Sequence, residues 1–258
     1  LYTDFNIVIY ARQLFWKLGG MGMHLRNIRI VALLFILFLA FGKPAMAAAG
    51  SSARTDVNAV YHNAGPLEIY LSDDEIFIPD TTRPITGMTE YVVTDGKPSV
   101  FRISHCTYDA EKNLVQIVSD SAETSQNTLI ITYNANHQPL TYKLYIEDGT
   151  VDEFGDFVYG KDGKCQYSDL HGWEGSIQHS TYLYNNLNQI IKASYKDSTT
   201  SGSNTYAYNS SGKPLSKSNT QGDRVVYSYD AEGNIISSLY TMGSLPTSKY
   251  YIATFYQY

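Results

Sequence analysis

A tyrosine followed by Asp or Asn returns at nearly constant spacing down the second half of this chain. That periodicity constrains the fold more tightly than any single residue. The clearest copy reads Tyr227-Ser228-Tyr229-Asp230-Ala231-Glu232-Gly233-Asn234-Ile235-Ile236. With its second Tyr as position zero, the anchors are Tyr108, Tyr133, Tyr159, Tyr184, Tyr208 and Tyr229, separated by 25, 26, 25, 24 and 21 residues. Two positions earlier stand Cys106, Ile131, Phe157, Tyr182, Tyr206 and Tyr227, all apolar or aromatic. Positions zero and minus two share one face of a strand, because strand side chains alternate. The next residue is Asp109, Asn134, Gly160, Asn185, Asn209 or Asp230. Asp and Asn there open a type I turn by accepting backbone N–H groups. Position plus four holds Lys112, His137, Gly163, Asn188, Gly212 or Gly233, and Gly or Asn suits the positive φ that closes such a hairpin. Apolar residues at plus six and plus seven then begin the return strand.

The expected fold is therefore all-β: an antiparallel meander of tandem hairpins forming one elongated sheet, curved or rolled. Tyr250 to Phe255 reads as its final edge strand. The sequence does not decide among an open sheet, a barrel and a sandwich, although unpaired edges favour curling. Tyr61 to Leu67 fits the same offsets as a weaker copy, and no stretch after Ala49 carries a helical period. Residues 48–100 read as divergent hairpins and residues 101–258 as the repeat domain.

This pattern resembles the YD repeat of the Rhs family, a Tyr-Asp pair followed by a Gly and a short hydrophobic strand. The likeness covers about residues 101 to 240 in six copies. Gly160 departs from it in the third copy, and Lys112 and His137 in the first two. The resemblance implies a secreted or cell-surface protein. Large members roll their repeats into a shell around a C-terminal toxin. These repeats are too few to enclose much, and no toxin is expected after the last one.

The N-terminal region reads as export machinery. Residues 1–22 are expected to be an untranslated leader, since Leu18-Gly19-Gly20 matches the codons of a ribosome-binding sequence, with translation starting at Met23. Residues 23–47 read as a signal peptide: a basic start through Arg26 and Arg29, an apolar run from Ile30 to Gly42, and the small-residue site Ala45-Met46-Ala47. That run of 13 residues is shorter than the roughly 20 a membrane-spanning helix needs, so no membrane span is expected in the mature chain. Removing residues 1–47 leaves 14 Lys and Arg against 24 Asp and Glu, a net charge of −10. Nucleic acid is excluded as a partner by that field. The expected location is periplasmic, secreted or at the cell surface.

Catalytic signatures are sparse. The His residues lack zinc-site spacing, and neither a Gly-x-Ser-x-Gly elbow nor a phosphate loop occurs. No metal or cofactor is expected, the acidic run Asp73-Asp74-Glu75 reading as a solvated turn. His171 and Glu174, flanking Trp173, are the one acid/base candidate, and a turn is the simpler reading. Cys106 and Cys165 enter an oxidising compartment, yet the repeat register puts them five strands apart, about 24 Å at about 4.8 Å per strand, so they reach disulfide distance only if the sheet curls sharply or the third hairpin lies elsewhere. Tyr is the remaining clue. Tyr182, Tyr206 and Tyr227 form one expected ladder, and Tyr184, Tyr208 and Tyr229 a second. Cross-strand packing is one use for them. The other, with Trp173, is a platform on which sugar rings stack. The chain is expected to be a non-catalytic interaction scaffold for a glycan or an envelope protein. A shell fragment or accessory of an Rhs-type toxin and a secreted hydrolase are the alternatives.

Overall fold

The computed structural model describes residues 59–258 apart from 64, 66, 68, 72, 73, 77, 122–125, 173, 174 and 244–249. The leader and the signal peptide lie outside the described residues. A small ribbon, β1 (Ile69–Leu71) and β2 (Asp74–Ile76), precedes the main sheet. Fourteen strands follow. They are β3 (Gly87–Thr94), β4 (Lys97–Tyr108), β5 (Leu114–Ser121), β6 (Asn127–Tyr133), β7 (Pro139–Tyr145), β8 (Val151–Tyr159) and β9 (Cys165–His171), then β10 (Ile177–Tyr184), β11 (Ile190–Lys196), β12 (Ser201–Tyr208), β13 (Pro214–Asn219), β14 (Arg224–Tyr229), β15 (Ile235–Thr241) and β16 (Tyr250–Gln257). Each pairs antiparallel with its sequence neighbours, and β16 pairs with β3, so the meander is a closed barrel. The all-β expectation holds. The elongated curved sheet does not, and neither does the final edge, because Tyr250 to Gln257 lie opposite Thr94 to Gly87. Closure removes both rows of unpaired backbone groups that an open sheet would expose.

The hairpin geometry repeats in all six copies. Position zero pairs with plus six just beyond a register shift: Tyr108 with Leu114, Tyr133 with Pro139, Tyr159 with Cys165, Tyr184 with Ile190, Tyr208 with Pro214, and Tyr229 with Ile235. Turn residues behave as their chemistry demands. The side chain of Asn185 accepts the N–H groups of Leu187 and Gln189 at 2.9 and 3.0 Å, and Asn209 does the same for Ser211 and Lys213. Gly160 cannot, and there Asp162 takes the N–H of Lys164 instead. Every plus-four residue has positive φ, including Lys112 at 67° and His137 at 59°. The turn thus imposes its backbone even where the residue is not Gly, at about 1 kcal/mol or more each.

Inward-facing residues form layers. Nearest the turns, Leu114, Cys165, Ile190 and Ile235 at plus six are buried. One layer deeper, position minus two meets position plus nine of the preceding hairpin, where Phe157 lies 6.1 Å from Tyr142 and several tyrosines face small residues. Tyr206 follows Ala193, while Tyr182 and Tyr256 follow Ser168 and Ser238 and hydrogen bond to them. Towards the far end the interior turns polar. Ser104 and Ser119 share a 2.7 Å hydrogen bond, Arg102 pairs with Glu90 at 3.2 Å, and Tyr142 donates to Glu153. Gly155 lies opposite Tyr142, and a Cβ there would enter the buried Tyr142 ring, so the glycine makes room for the aromatic. The outer wall carries Lys143, Asp156, Asp169, His179 and Arg224 along its strands, interleaved with exposed apolar side chains such as Phe154, Leu183, Leu215 and Leu239.

A seventh hairpin is built from two separate parts of the chain. Gln257 lies opposite Gly87, which is the minus-one to plus-eight pairing of the other copies. Tyr258 therefore occupies position zero, Ile85 position plus six and Met88 position plus nine. Ile85 and Met88 are buried as those positions require. Arg83 stands at plus four, its guanidinium over the Tyr258 ring and 3.1 Å from Asp230. Upstream, described residues between Ala59 and Pro84 pack into the turn end of the barrel. Tyr61 bridges to Thr81, and His62 bridges in parallel to Asn113. Buried Asn63 donates to the Pro79 carbonyl and the Thr81 hydroxyl and accepts from the Tyr108 hydroxyl at 2.6 Å. The described residues between Tyr61 and Leu67 thus belong to this cap and to no barrel hairpin.

Two predictions follow from these contacts. Tyr258→Ala should destabilise the protein by about 2–4 kcal/mol, close to Tyr229→Ala, because both anchor a hairpin. A Tyr258→Ala variant that melts like the parent would mean that the β3–β16 seam does not hold the barrel shut. The second concerns acid. Burial would raise the Asp109 carboxyl, but hydrogen bonds from Asn113 and Glu111 outweigh it and hold the group below its usual range. Hydrogen bonds from Thr200 and Thr199 do the same for Asp197. Depressed values stabilise the fold above the unfolded carboxyl range and lose that effect as pH falls through the lowered values. The melting temperature should hold down to about pH 4 and fall below it. Asp109→Asn should shrink the fall.

Candidate functional site

At the turn end the cap does not fill the barrel completely. It leaves a cavity of about 550 Å³. Tyr159, Tyr184 and Tyr208, the position-zero residues of three consecutive hairpins, line it. Around them stand Gln138, Asn188, Gln189 and Ser211 from the turns, with Leu67, Pro79 and Asp80 from the cap on the facing side.

The tyrosines are placed by a bond between hairpins. Backbone pairing between one hairpin and the next stops at the plus-eight residue: Lys192 opposite Thr205, Ser216 opposite Val226, Tyr167 opposite Thr181. The plus-six carbonyl beyond it would lack a strand partner. The next anchor supplies one. The hydroxyls of Tyr133, Tyr159, Tyr184, Tyr208, Tyr229 and Tyr258 donate to the carbonyls of Leu114, Pro139, Cys165, Ile190, Pro214 and Ile235, at 2.6 to 3.1 Å. Burial raises the phenols of Tyr159, Tyr184, Tyr208, Tyr229 and Tyr258, that of Tyr208 to about 12 and the others higher still. They remain neutral donors at any physiological pH. With their hydroxyls committed, the three anchors offer the cavity ring surface.

Charges at the rim balance locally. Lys164 lies 4.0 Å from Asp162, with its ammonium 5.5 Å from the centre of the Tyr184 ring. Lys213 donates to the Asp80 carbonyl at 2.9 Å. The Asp80 carboxylate accepts the Asn63 N–H and lies 3.2 Å from His62, whose ring stacks on His137 at 4.4 Å. Gln138 and Gln189 reach across to the carbonyls of Gly163 and Gly212 in the next turn.

The two expected ladders separate in depth. Tyr184 and Tyr208 reach the cavity. Tyr206 and Tyr227, 7% and 5% exposed, face the interior one layer below, and Tyr182 there is tied to Ser168 at 2.7 Å. Tyr229 is partly buried against the core and does not line the cavity. Trp173 and Glu174 lie outside the described residues. His171 sits on the outer wall, its ring stacked on Phe154 at 4.4 Å, away from the cavity. The side chains of the Asp73 to Glu75 run also lie outside the description. Among the described residues no cluster of three metal-ligating side chains forms. Cys106 and Cys165 are free, and burial pushes both thiols up to about 12. Sequence reasoning missed Tyr159 as a lining residue, although its place at position zero marked it as equivalent to Tyr184 and Tyr208. The cap residues carried no such signal, because nothing in their spacing points to the barrel mouth.

No protein-family model matches the chain, and no curated protein does. Among solved structures, the Photorhabdus luminescens Tc holotoxin pore carrying the mutation TccC3-D651A aligns at 14% identity and a TM-score of 0.27 over 63% of this chain. The chain spans 9% of the length of that neighbour. A porin-like protein from Bacteroides uniformis ATCC 8492 aligns at 10% identity and a TM-score of 0.38, covering 68% of this chain and 98% of that one. The TcdB2-TccC3-Cdc42 structure aligns at 10% identity and a TM-score of 0.20, covering 66% of this chain and 12% of that one. Tc toxin complexes and a porin-like protein thus stand among the neighbours of an all-β chain. At these scores the barrel assignment rests on its own hydrogen-bond ladder.

The buried anchors make alkaline pH a test of the site. Folded phenol values above the unfolded range of about 10 mean that their stabilising effect is complete below that pH and is lost as pH rises towards the folded values. Ultraviolet titration should show a class of tyrosines that ionise only with unfolding, and thiol reagents at pH 8 should not label either cysteine until denaturant is added. A smooth titration of every tyrosine near pH 10 in the folded protein would contradict the anchor geometry.

Proposed function

We propose that this chain is an exported, non-catalytic YD-repeat protein that acts as an interaction scaffold for a glycan or an envelope protein and takes its ligand at the turn end of the barrel. The observation that carries this reading is the cavity itself, where equivalent tyrosines from three consecutive hairpins line one wall and the cap lines the other. Its volume lies within the roughly 300–1,000 Å³ typical of small-ligand sites. The repeat supports the YD-type reading: one tyrosine, one turn conformation and one inter-hairpin bond recur around the barrel. Export is supported by the signal-peptide pattern of residues 23–47.

The alternatives draw less support. A fragment of a larger repeat shell needs a free edge strand to continue the sheet, and β3 and β16 are joined to each other. A hydrolase centred on His171 draws no support from the cavity, whose lining does not include that residue.

The test is a glycan array together with an envelope-protein capture assay, run on the purified exported protein and on the exposed-rim variant Asn188→Asp. A retained ligand whose binding falls about ten-fold in Asn188→Asp is expected, the size of one lost or opposed contact. Ligand retention that ignores every cavity substitution would remove the turn end as the site.

A further inference from the structure

Resting on the reading above, we infer that the turn-end cavity receives a neutral saccharide chain end. Four classes of occupant can be weighed against the lining. A strongly charged ligand meets opposition whichever sign it carries, because Asp80 and Asp162 stand beside Lys164 and Lys213. Both lysines already have oxygen neighbours, Lys213 at the Asp80 carbonyl and Lys164 near the Asp162 carboxylate. A purely apolar ligand would strip water from Gln138, Asn188, Gln189 and Ser211 without replacing its hydrogen bonds. An extended peptide binds by adding a strand to an open edge, and the barrel has none among its fourteen strands.

A sugar satisfies what remains. Its hydroxyls can both donate and accept, which matches a rim of amides, a serine hydroxyl and balanced charges. Its C–H face packs on aromatic rings, and Tyr159, Tyr184 and Tyr208 offer rings whose own hydroxyls are already bound to main-chain carbonyls. The three rings belong to adjacent hairpins, so they form a track along the barrel rim. A chain end entering between this track and the cap would contact Pro79 and Asp80 on its other side.

The experiment uses the full exported protein with three sets of probes. These are neutral di- and trisaccharides of glucose, galactose, mannose, xylose and N-acetylglucosamine; uronic-acid oligosaccharides; and acidic and basic peptides. Binding is read by calorimetry and by saturation-transfer NMR. A neutral saccharide should bind, with saturation transferred to its ring C–H protons. Tyr184→Phe, which keeps the ring, should retain affinity within about two-fold, while Tyr184→Leu should lose roughly ten-fold. Asn188→Asp provides a second, exposed variant should Tyr184→Leu fold poorly, and it too should weaken binding. Uronic-acid oligosaccharides or peptides binding at the cavity in place of neutral sugars would overturn this inference and leave the scaffold reading standing. Absence of binding by all three probe sets would overturn this inference, while the scaffold reading falls only if the glycan array and the envelope-protein capture also retain nothing at the cavity.

Discussion

The barrel depends on one polar contact repeated around its rim: an anchor tyrosine hydroxyl donating to the plus-six carbonyl of the preceding hairpin. Consecutive hairpins are connected at the far end, so at the turn end their strands separate and the ladder stops early. A carbonyl there without a partner would cost roughly 1–3 kcal/mol if buried. Tyrosine suits the position because its ring reaches across the gap, adds buried apolar area and ends in a donor. Phenylalanine would fill the space and leave the carbonyl without its partner. This explains why the repeat is led by tyrosine.

The same contact explains closure. The ring needs a seventh hairpin, and both of its strands follow the rules of the other six. Tyr258 donates to Ile235, and Ile85 takes the buried plus-six place. These two strands come from distant parts of the chain, and side chains from the cap and the neighbouring turn meet where the other copies place their own turn. Asn234 accepts from the Thr82 N–H at 2.8 Å, and Arg83 bridges Asp230 and the Tyr258 ring. A seam made from distant parts of the chain brings β3 and β16 together only once the intervening hairpins have formed, which makes closure a long-range contact by nature. The cap reinforces it by joining Asn63 to Tyr108, the anchor that follows the seam.

The interior divides along the barrel axis. Apolar side chains fill the layers nearest the turns, and deeper in the barrel polar groups, among them the Ser104–Ser119 and Arg102–Glu90 pairs, stand beside buried Leu129 and Leu144. The cavity opens beside the apolar layers, so Cys165, Ile190 and Pro139 line it together with the amides of Gln138, Asn188 and Gln189. A ligand there would touch main-chain turns held by side-chain caps rather than mobile loops. That is a rigid frame for recognition, and the small reorganisation it needs favours binding.

What the amino-acid order determined by itself was local. The alternation of aromatics, the Asp or Asn turn and the positive φ at plus four follow from steric and hydrogen-bonding rules acting over a few residues, and they hold even at Lys112 and His137, where the residue type argued against them. The inward face of each strand was legible for the same reason. What only the tertiary structure decided was everything that joins distant segments. Whether a meander closes depends on the summed strand twist and on a partner for its last strand, and Ile85 and Tyr258 are too far apart in sequence for a periodic pattern to reveal them as one hairpin. The cap and the cavity share this origin. Asp80 and Pro79 face Tyr184 and Tyr208 because the barrel ends there, a fact that no spacing along the chain encodes.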